Sequence, residues 1–132
     1  MNNNSVISQK SATLTERLEK DMKSGYITIL ILQIIKNEKQ VWGYRIKQLL
    51  QQLTGNEIQN SSLYTILRNL ESKYHVVTSE MIDRRRYYVL TPEGHKQSLK
   101  AVNFWSELLS ESKTHFKKLN IPLSTAIKEV IT

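Results

Sequence analysis

The alternation of apolar and polar residues changes its period after residue 70, and this change predicts three elements. Over 63–70, apolar residues recur three and four positions apart, which is typical of an amphipathic helix. The runs 76–80 and 84–90 are rich in β-branched and aromatic residues, which predicts two strands. Residues 81–83 contain no glycine, so we expect a loop of three to five residues and not a tight mirror-image turn. Helix, strand, turn and strand is the order of a winged helix.

Two further helical patterns precede this unit. Residues 44–53 form an amphipathic pattern and 54–59 a turn, so this helix and the next make a helix-turn-helix. The predicted apolar face comprises Ile46, Leu49, Leu50 and Leu53. The apolar run 26–36 fits either a buried strand or a helix, and we predict a helix because the next patterned segment of the chain is helical. Val41 is placed to add a single edge pairing to the wing.

The N-terminal residues predict a tail and a short helix. Residues 1–10 are polar and Asn-rich, which is typical of a flexible tail. Thr13 and Glu16 fit a capping box, and the helix that they open is expected to end at Gly25. Its narrow apolar stripe suits either a partner helix from a second subunit or the surface of its own domain.

A long helix is predicted at the C-terminal end. Thr91 and Pro92 are strong start signals, and the helix can continue to about residue 118. At 1.5 Å per residue it would be about 40 Å long and would extend beyond so small a domain. Its apolar stripe therefore predicts a two-fold dimer, and Ser124 would cap a short final helix. The predicted dimer interface comprises Leu14, Leu18, Leu99, Val102, Trp105, Leu109 and Phe116.

The predicted fold class is mainly α, a winged helix-turn-helix domain with a two-stranded β wing and a long C-terminal dimerisation helix. The expected organisation is a tail at 1–10, the winged-helix domain with its N-terminal helix at 11–91, and the dimerisation region at 92–132. The net charge of +7 and the pI near 9.7 favour a polyanionic partner, nucleic acid ahead of an anionic membrane surface.

Composition and the spacing of polar residues exclude several classes of function. The chain has no Cys, so disulfides and thiolate metal sites are excluded. His75, His95 and His115 lack ligand spacing, and no catalytic constellation or phosphate-cradling loop is found, so neither an enzyme nor a metal or other cofactor is expected. The first residues lack a signal-peptide pattern and the longest apolar run is too short to span a bilayer, which predicts a cytoplasmic protein without a membrane partner.

Candidate DNA-binding residues come from the predicted elements. Asn60 is the expected N-cap, which leaves a small, polar helix start open to a phosphate. The polar outer face of that helix can bind base edges, and the helix before it crosses the DNA backbone in such motifs. The triplet Arg84-Arg85-Arg86 is either a solvated run of charges or the tip of a hairpin that binds phosphates or the minor groove. Its position in the predicted hairpin favours the second interpretation. These residues are Arg45, Asn60, Ser61, Ser62, Thr65, Arg68, Arg84, Arg85 and Arg86.

Four sequence motifs, in the same order along the chain, resemble those of a known family. They are Gly25 before the apolar helix, Gly43-Tyr44-Arg45-Ile46, Ser62-Leu63-Tyr64 with Leu67, Leu70 and Glu71, and Arg85-Arg86-Tyr87-Tyr88-Val89-Leu90-Thr91 with Gly94. Over roughly residues 22–105 the chain resembles the PadR-like winged-helix transcriptional regulators. The resemblance implies a DNA-binding homodimer, usually a repressor, in which the helix after the wing supplies much of the interface.

The resemblance also implies roles for three aromatic residues. Tyr64 would contact a phosphate or be a half-buried core residue, and Tyr44 would lie near the DNA backbone or the core. In some relatives an aromatic residue on the long helix lines a pocket for flat compounds at the dimer centre. Trp105 would line such a pocket for a small planar effector, or simply pack in the interface.

Two positions depart from the family pattern. Residues 59–62 stand where Ser-x-Gly-Thr is common, which moves the helix cap. Tyr74 and His75 stand where a Gly often ends the recognition helix, which here is the helix predicted to begin at Asn60. A left-handed conformation there would cost on the order of 1 kcal/mol.

The leading functional hypothesis is a homodimeric, sequence-specific regulator of transcription that binds double-stranded DNA at a pseudo-palindromic operator, as a repressor. The alternative is an architectural protein that coats DNA without sequence preference, which the even spread of charge along the chain fits. A winged helix that binds only proteins is a third possibility, and the Arg triplet argues against it.

Overall fold

The computed structural model describes residues 12–123, and these form four helices and three strands. In chain order they are α1 (Leu14–Glu38), β1 (Val41–Trp42), α2 (Gly43–Thr54), α3 (Asn60–Ser72), β2 (Val77–Ile82), β3 (Arg85–Leu90) and α4 (Pro92–Lys118). The predicted class, a mainly α winged helix with a long C-terminal helix, is confirmed. The tail predicted at 1–10 and the final helix predicted from Ser124 lie outside the described residues.

The sheet has three antiparallel strands in the order β1-β3-β2, which are the two strands of the predicted wing and the short strand β1. Val41 pairs with Tyr88 and Trp42 with Tyr87, so the single edge pairing expected at Val41 is a two-residue strand. The wing, defined here as β2, its turn and β3, is therefore anchored at its base to the segment between α1 and α2. This arrangement leaves β2 as an edge strand.

The turn of the wing has two residues, and the prediction of a longer loop was wrong. Ile82 pairs with Arg85, and the residues between them, Asp83 and Arg84, have φ values of 48° and 69°. Positive φ at both central residues is the mark of a mirror-image turn, whose twist matches that of the strands. The prediction had treated glycine as necessary. The strands impose the turn instead, at a cost of roughly 1 to 2 kcal/mol for a non-glycine residue such as Arg84.

One continuous helix, α1, replaces the two that were predicted on either side of Gly25. Thr13 is the N-cap as expected, and its Oγ1 accepts a hydrogen bond from Glu16 N at 3.2 Å. Gly25 lies inside the helix and does not end it. Glycine costs a helix interior only about 1 kcal/mol, and the second half of α1 is held by buried core residues such as Ile31 and Ile35.

The core lies between α1, α2, α3 and the base of the wing. Its fully buried large apolar side chains are Ile31, Ile35, Ile46, Leu50, Leu63 and Leu67. Leu53 was predicted on the buried face of α2 but is 65% exposed. It lies in the last turn of α2, beside an open groove that α1 also lines, so its helical position alone did not ensure burial.

The start of α4 is fastened to the segment that comes after α3. Thr91 N donates to Val76 O at 3.0 Å, and Thr91 Oγ1 donates to His75 O at 2.8 Å while it accepts from Gly94 N at 2.9 Å. His75 has φ 54°, so the residue that stands in place of the usual glycine does take a left-handed conformation. A Cβ added at Gly94 would lie 1.9 Å from Val76 O, so only glycine allows this approach.

Further along, α4 is joined to α1 and then leaves the core. Gln33 Nε2 donates to Ser98 Oγ at 2.8 Å, and Ser98 is fully buried. The buried residues of α4 are Gly94 and Ser98, so the rest of this long helix has little of the core to pack on. No helix within residues 12–123 is long and apolar enough to cross a membrane.

Candidate nucleic-acid interface

The outer face of α3 is polar and open. Leu63, Leu67 and Leu70 are buried, as the helical period predicts. All the residues predicted to contact DNA on this helix are exposed: Asn60, Ser61, Ser62, Tyr64, Thr65 and Arg68. Hydroxyl, amide and guanidinium groups of this kind can hydrogen-bond to phosphates and base edges.

The start of α3 differs from the prediction. Gln59 occupies the N-cap position, and its side chain makes no capping hydrogen bond within the described part of the chain. Asn60, the predicted cap, is the first helical residue, and its Oδ1 accepts from Lys47 Nζ at 2.8 Å. Lys47 also lies 3.4 Å from Glu57 Oε1. Asn60 therefore ties α3 to α2, while the positive end of the α3 dipole remains without a side-chain cap.

Tyr64 is 41% exposed and packs against the start of α2. A Cβ on Gly43 would lie 2.7 Å from the Tyr64 hydroxyl oxygen, so Gly43 makes room for this ring. Both expectations for Tyr64 are thus compatible with its place, since one side of the ring is packed and the rest is open. Its contact with a phosphate stays a prediction.

A cluster of two aromatic rings and one guanidinium joins β1, α2 and the wing. The Arg85 guanidinium lies 4.1 Å from the centre of the Trp42 ring, and the Trp42 and Tyr44 ring centres are 5.4 Å apart. A guanidinium over an indole face is held by a cation–π interaction. Sequence reasoning missed Trp42. Trp42 directly precedes Gly43-Tyr44 in the sequence, and this position could have indicated a role for it. The sequence near Trp42 does not show that Arg85, which lies on a distant strand, would contact its ring.

The other cation predicted near this region, Arg45, is paired. Its Nε lies 3.4 Å from Glu38 Oε1, and both side chains are more than a third exposed. An exposed ion pair of this kind is worth at most about 1 kcal/mol, so a phosphate can compete with Glu38 for Arg45.

Arg86 is held by a hydrogen-bond chain that sequence reasoning missed. Arg86 Nη1 donates to Ser79 Oγ at 2.9 Å, and Ser79 Oγ donates to Glu71 Oε1 at 2.7 Å. Ser79 N donates to the other carboxylate oxygen of Glu71 at 3.0 Å. Burial raises the pKa of the nearby Tyr88 phenol, and the positive charge of Arg86 only partly opposes this rise. Because the pKa is raised, Tyr88 stays neutral at physiological pH.

The three arginines of the wing thus have three environments. Arg84 lies in the turn, Arg85 on Trp42, and Arg86 on Ser79. All three are exposed. The structure brings them to the same wing, next to α3, as the sequence predicted.

The residues predicted for the dimer interface lie on α1 and α4 and are mostly exposed. Leu14, Leu18, Leu99, Val102, Leu109 and Phe116 are all at least 39% exposed in the single chain. Trp105 is half-buried, with its ring centre 5.0 Å from that of Tyr26. It lines a small hollow of about 180 Å³ between α1 and α4, so this chain alone offers only a shallow site for a planar compound.

A metal site is not formed by the part of the chain that the structure describes. Nowhere in residues 12–123 do three or more His, Cys, Asp or Glu side chains come together in a way that could hold an ion.

Comparisons with known proteins agree with this geometry. Residues 31–100 match the family described as "Transcriptional regulator PadR-like family". A transcriptional regulator from Clostridium thermocellum is 30% identical, with a TM-score of 0.64 over 73% of this chain and 94% of that one. A PadR family transcription regulator from Clostridium difficile R20291 is 26% identical, with a TM-score of 0.57 over 69% and 97%.

A third structure shares the fold at lower identity. The padr family transcriptional regulator from Eggerthella lenta DSM 2243 is 22% identical, with a TM-score of 0.67 over 78% of this chain and 92% of that chain. A search of curated proteins found no match. The family match spans more than half of the chain, and it includes α2, α3 and the whole wing. This chain belongs to the PadR-like family of transcriptional regulators.

Proposed function

We propose that the protein is a sequence-specific DNA-binding repressor that acts as a homodimer on a pseudo-palindromic operator. The observation that carries this proposal is the outer face of α3. It presents hydroxyl, amide and guanidinium groups to solvent, and the one acidic side chain within α3, Glu71, is already bonded to Ser79. A surface without an unpaired carboxylate suits a helix that enters the major groove of a polyanion.

The remaining candidates surround this helix in a manner that suits DNA. Thr65 and Arg68 would read base edges, while Ser61, Ser62 and Tyr64 at the helix start would hold a phosphate. Tyr44 and Arg45 at the start of α2 would contact the backbone beside it. The wing arginines would hold the flanking backbone or minor groove.

The homodimer is supported by the apolar surface that the single chain leaves open. Phe104, Leu108, Leu109 and Phe116 on α4 are each at least 40% exposed, and Leu14, Leu18 and Met22 on α1 are each more than 50% exposed. Large exposed apolar patches on soluble proteins usually mark interaction surfaces, so we expect a partner to cover these side chains. A second copy related by a two-fold axis would cover both helices. To enter successive major grooves, the two copies of α3 would then have to lie about 34 Å apart.

Selection of bound DNA from a random pool at physiological salt tests the function. We expect enrichment of an inverted repeat whose half-sites are about one helical turn apart, bound at least about a thousandfold more tightly than random DNA. Equal affinity for all sequences would instead support the architectural, DNA-coating alternative. Absence of DNA binding would contradict both. Repression is tested separately, by a promoter carrying the selected site driving a reporter gene, whose output should fall when the protein is present.

Introducing a charge on α4 is expected to break the dimer. Leu109→Glu places a carboxylate in the proposed interface, where an unpaired charge would have to be buried. Sedimentation analysis should show a dimer for the unaltered protein and a monomer for this variant. Thr114→Glu is the matched control, because it adds the same single carboxylate at an exposed position that, at 100° per residue, lies about 140° around α4 from Leu109. A Leu109→Glu variant that remained dimeric would place the interface elsewhere.

A further inference from the structure

The wing is joined to α3, the proposed recognition helix, by two hydrogen bonds to a single carboxylate. Glu71 lies in the last turn of α3, and its Oε2 and Oε1 accept from Ser79 N at 3.0 Å and from Ser79 Oγ at 2.7 Å. Both residues are half-buried, which strengthens such bonds relative to those at a fully solvated surface. Arg86 Nη1 in turn donates to Ser79 Oγ at 2.9 Å.

The position of Ser79 explains why a helix residue bonds to the sheet. Ser79 lies on β2, the edge strand, where it pairs with Tyr88 of β3 on one side. An edge strand presents N–H groups that have no strand partner on the other side. Glu71 accepts the N–H of Ser79 in place of a neighbouring strand. The contact therefore fixes where the wing lies relative to α3.

We propose that Glu71 is a positioning residue for DNA binding. Through Ser79 it sets the angle between the recognition helix and the wing, and it holds Arg86 where its remaining N–H groups can bind a phosphate. The inference rests on the proposed function, since it concerns how the same interface binds DNA. Glu71 itself contacts no DNA in this arrangement.

The sign of the effect separates positioning from simple electrostatics. A carboxylate near DNA repels the phosphates, so its removal alone should leave affinity unchanged or raise it. If Glu71 positions the wing, its removal should lower affinity although the protein becomes more positive. Glu80 provides the matched control, because it is an exposed carboxylate on β2, next to Ser79. Its side-chain hydrogen-bond partner in the described residues is Gln40, at 3.4 Å.

The experiment measures the affinity of the full chain for the selected operator over a range of salt concentrations. Glu71→Ala should bind about tenfold more weakly, the loss expected when a charge-assisted hydrogen bond no longer holds the wing. If Arg86 of both subunits then loses its phosphate, the salt slope should also fall by about 2, at 0.9 per contact. Glu80→Ala should bind at least as tightly as the unaltered protein.

Conservative variants show whether geometry is the cause. Glu71→Gln keeps an oxygen for Ser79 N and offers an amide N–H to Ser79 Oγ, so it should recover most of the affinity lost in Glu71→Ala. Ser79→Ala keeps the backbone bond but removes the link to Arg86, and it should lower the salt slope without loss of folding. This second site keeps the test decisive if Glu71→Ala does not fold, which its melting temperature will show.

The outcomes distinguish this inference from the proposed function. If the unaltered protein binds no preferred DNA site, the proposed function is overturned and the role of Glu71 with it. If the unaltered protein binds its operator but Glu71→Ala and Ser79→Ala bind like Glu80→Ala, the role of Glu71 alone is overturned. Failure of Glu71→Gln to recover any affinity would also overturn it.

Discussion

Replacing Gly94 with alanine is expected to lower the free energy of unfolding by about 3 kcal/mol or more, near the upper end of what overpacked sites lose. The added Cβ would lie 1.9 Å from Val76 O, a backbone atom that cannot rotate away. The same carbonyl accepts the hydrogen bond from Thr91 N that begins α4. The first turn of α4 must therefore move away from the end of α3, and the wing between them is disturbed with it.

Thermal unfolding followed by circular dichroism measures this effect. For a chain of this size, about 3 kcal/mol corresponds to a fall in Tm of about 10 °C or more. Gly25→Ala is the matched control, because Gly25 also lies inside a helix but a Cβ there meets no atom within 4 Å. That variant should be more stable by roughly 0.5 to 1 kcal/mol, the difference between glycine and alanine in a helix. Similar Tm values for the two variants would show that α4 does not pack on Val76 in solution.

The junction at Gly94 also shows what a sequence can and cannot predict. Thr91 and Pro92 are local signals, since a side-chain cap and a fixed φ act within one turn, and α4 begins at the predicted residue and ends at Lys118. The buried leucines of α3 were equally readable, because a helical period depends only on neighbours in the chain. That Gly94 must be glycine depends on Val76, which comes from a different element.

The errors came from contacts and twists that a local pattern does not contain. Gly25 does not break α1, because the core holds the helix on its C-terminal side. The turn at Asp83 and Arg84 is tight although neither residue is glycine, because the twist of β2 and β3 selects it. Asn60 was read as a cap, but Lys47 of the preceding helix takes its side-chain oxygen.

The candidate site was predicted as a set of residues and not as a connected network. The exposed face of α3 and the Arg triplet could be read from periodicity and charge. The Arg85 contact with Trp42 and the Arg86 contact through Ser79 to Glu71 could not, since each crosses from one element to another. These contacts matter because they decide how rigidly each arginine is presented to DNA.

Replacing all three arginines at 84–86 with alanine should flatten the dependence of log K on log salt by about 5. This value comes from roughly 0.9 per phosphate over the six contacts that two subunits would make. Affinity for the operator and for random DNA should fall together, because phosphate contacts carry no sequence information. The measurement is a titration of labelled operator at several salt concentrations.

A second triple variant controls for net charge. Lys113, Lys117 and Lys118 lie exposed near the C-terminal end of α4, away from the wing along the chain. Replacing them with alanine removes the same charge and should leave the slope nearly unchanged. Replacing the arginines at 84–86 with lysine keeps the charge but replaces the planar guanidinium on Trp42 with an ammonium group that packs less well on the ring. This variant should therefore keep much of the slope and less of the affinity.

An unchanged slope of log K against log salt in the arginine variant would show that the wing does not contact DNA phosphates. Affinity would then depend on the cations of α2 and α3, which include Arg45, Lys47 and Arg68. Arg45 lies 3.4 Å from Glu38 and Lys47 lies 3.4 Å from Glu57, so both would have to exchange a carboxylate for a phosphate. Such an exchange gains less than binding by an unpaired cation. The geometry of the helices alone therefore predicts weaker, less salt-dependent binding than the winged arrangement does, and the titration distinguishes the two.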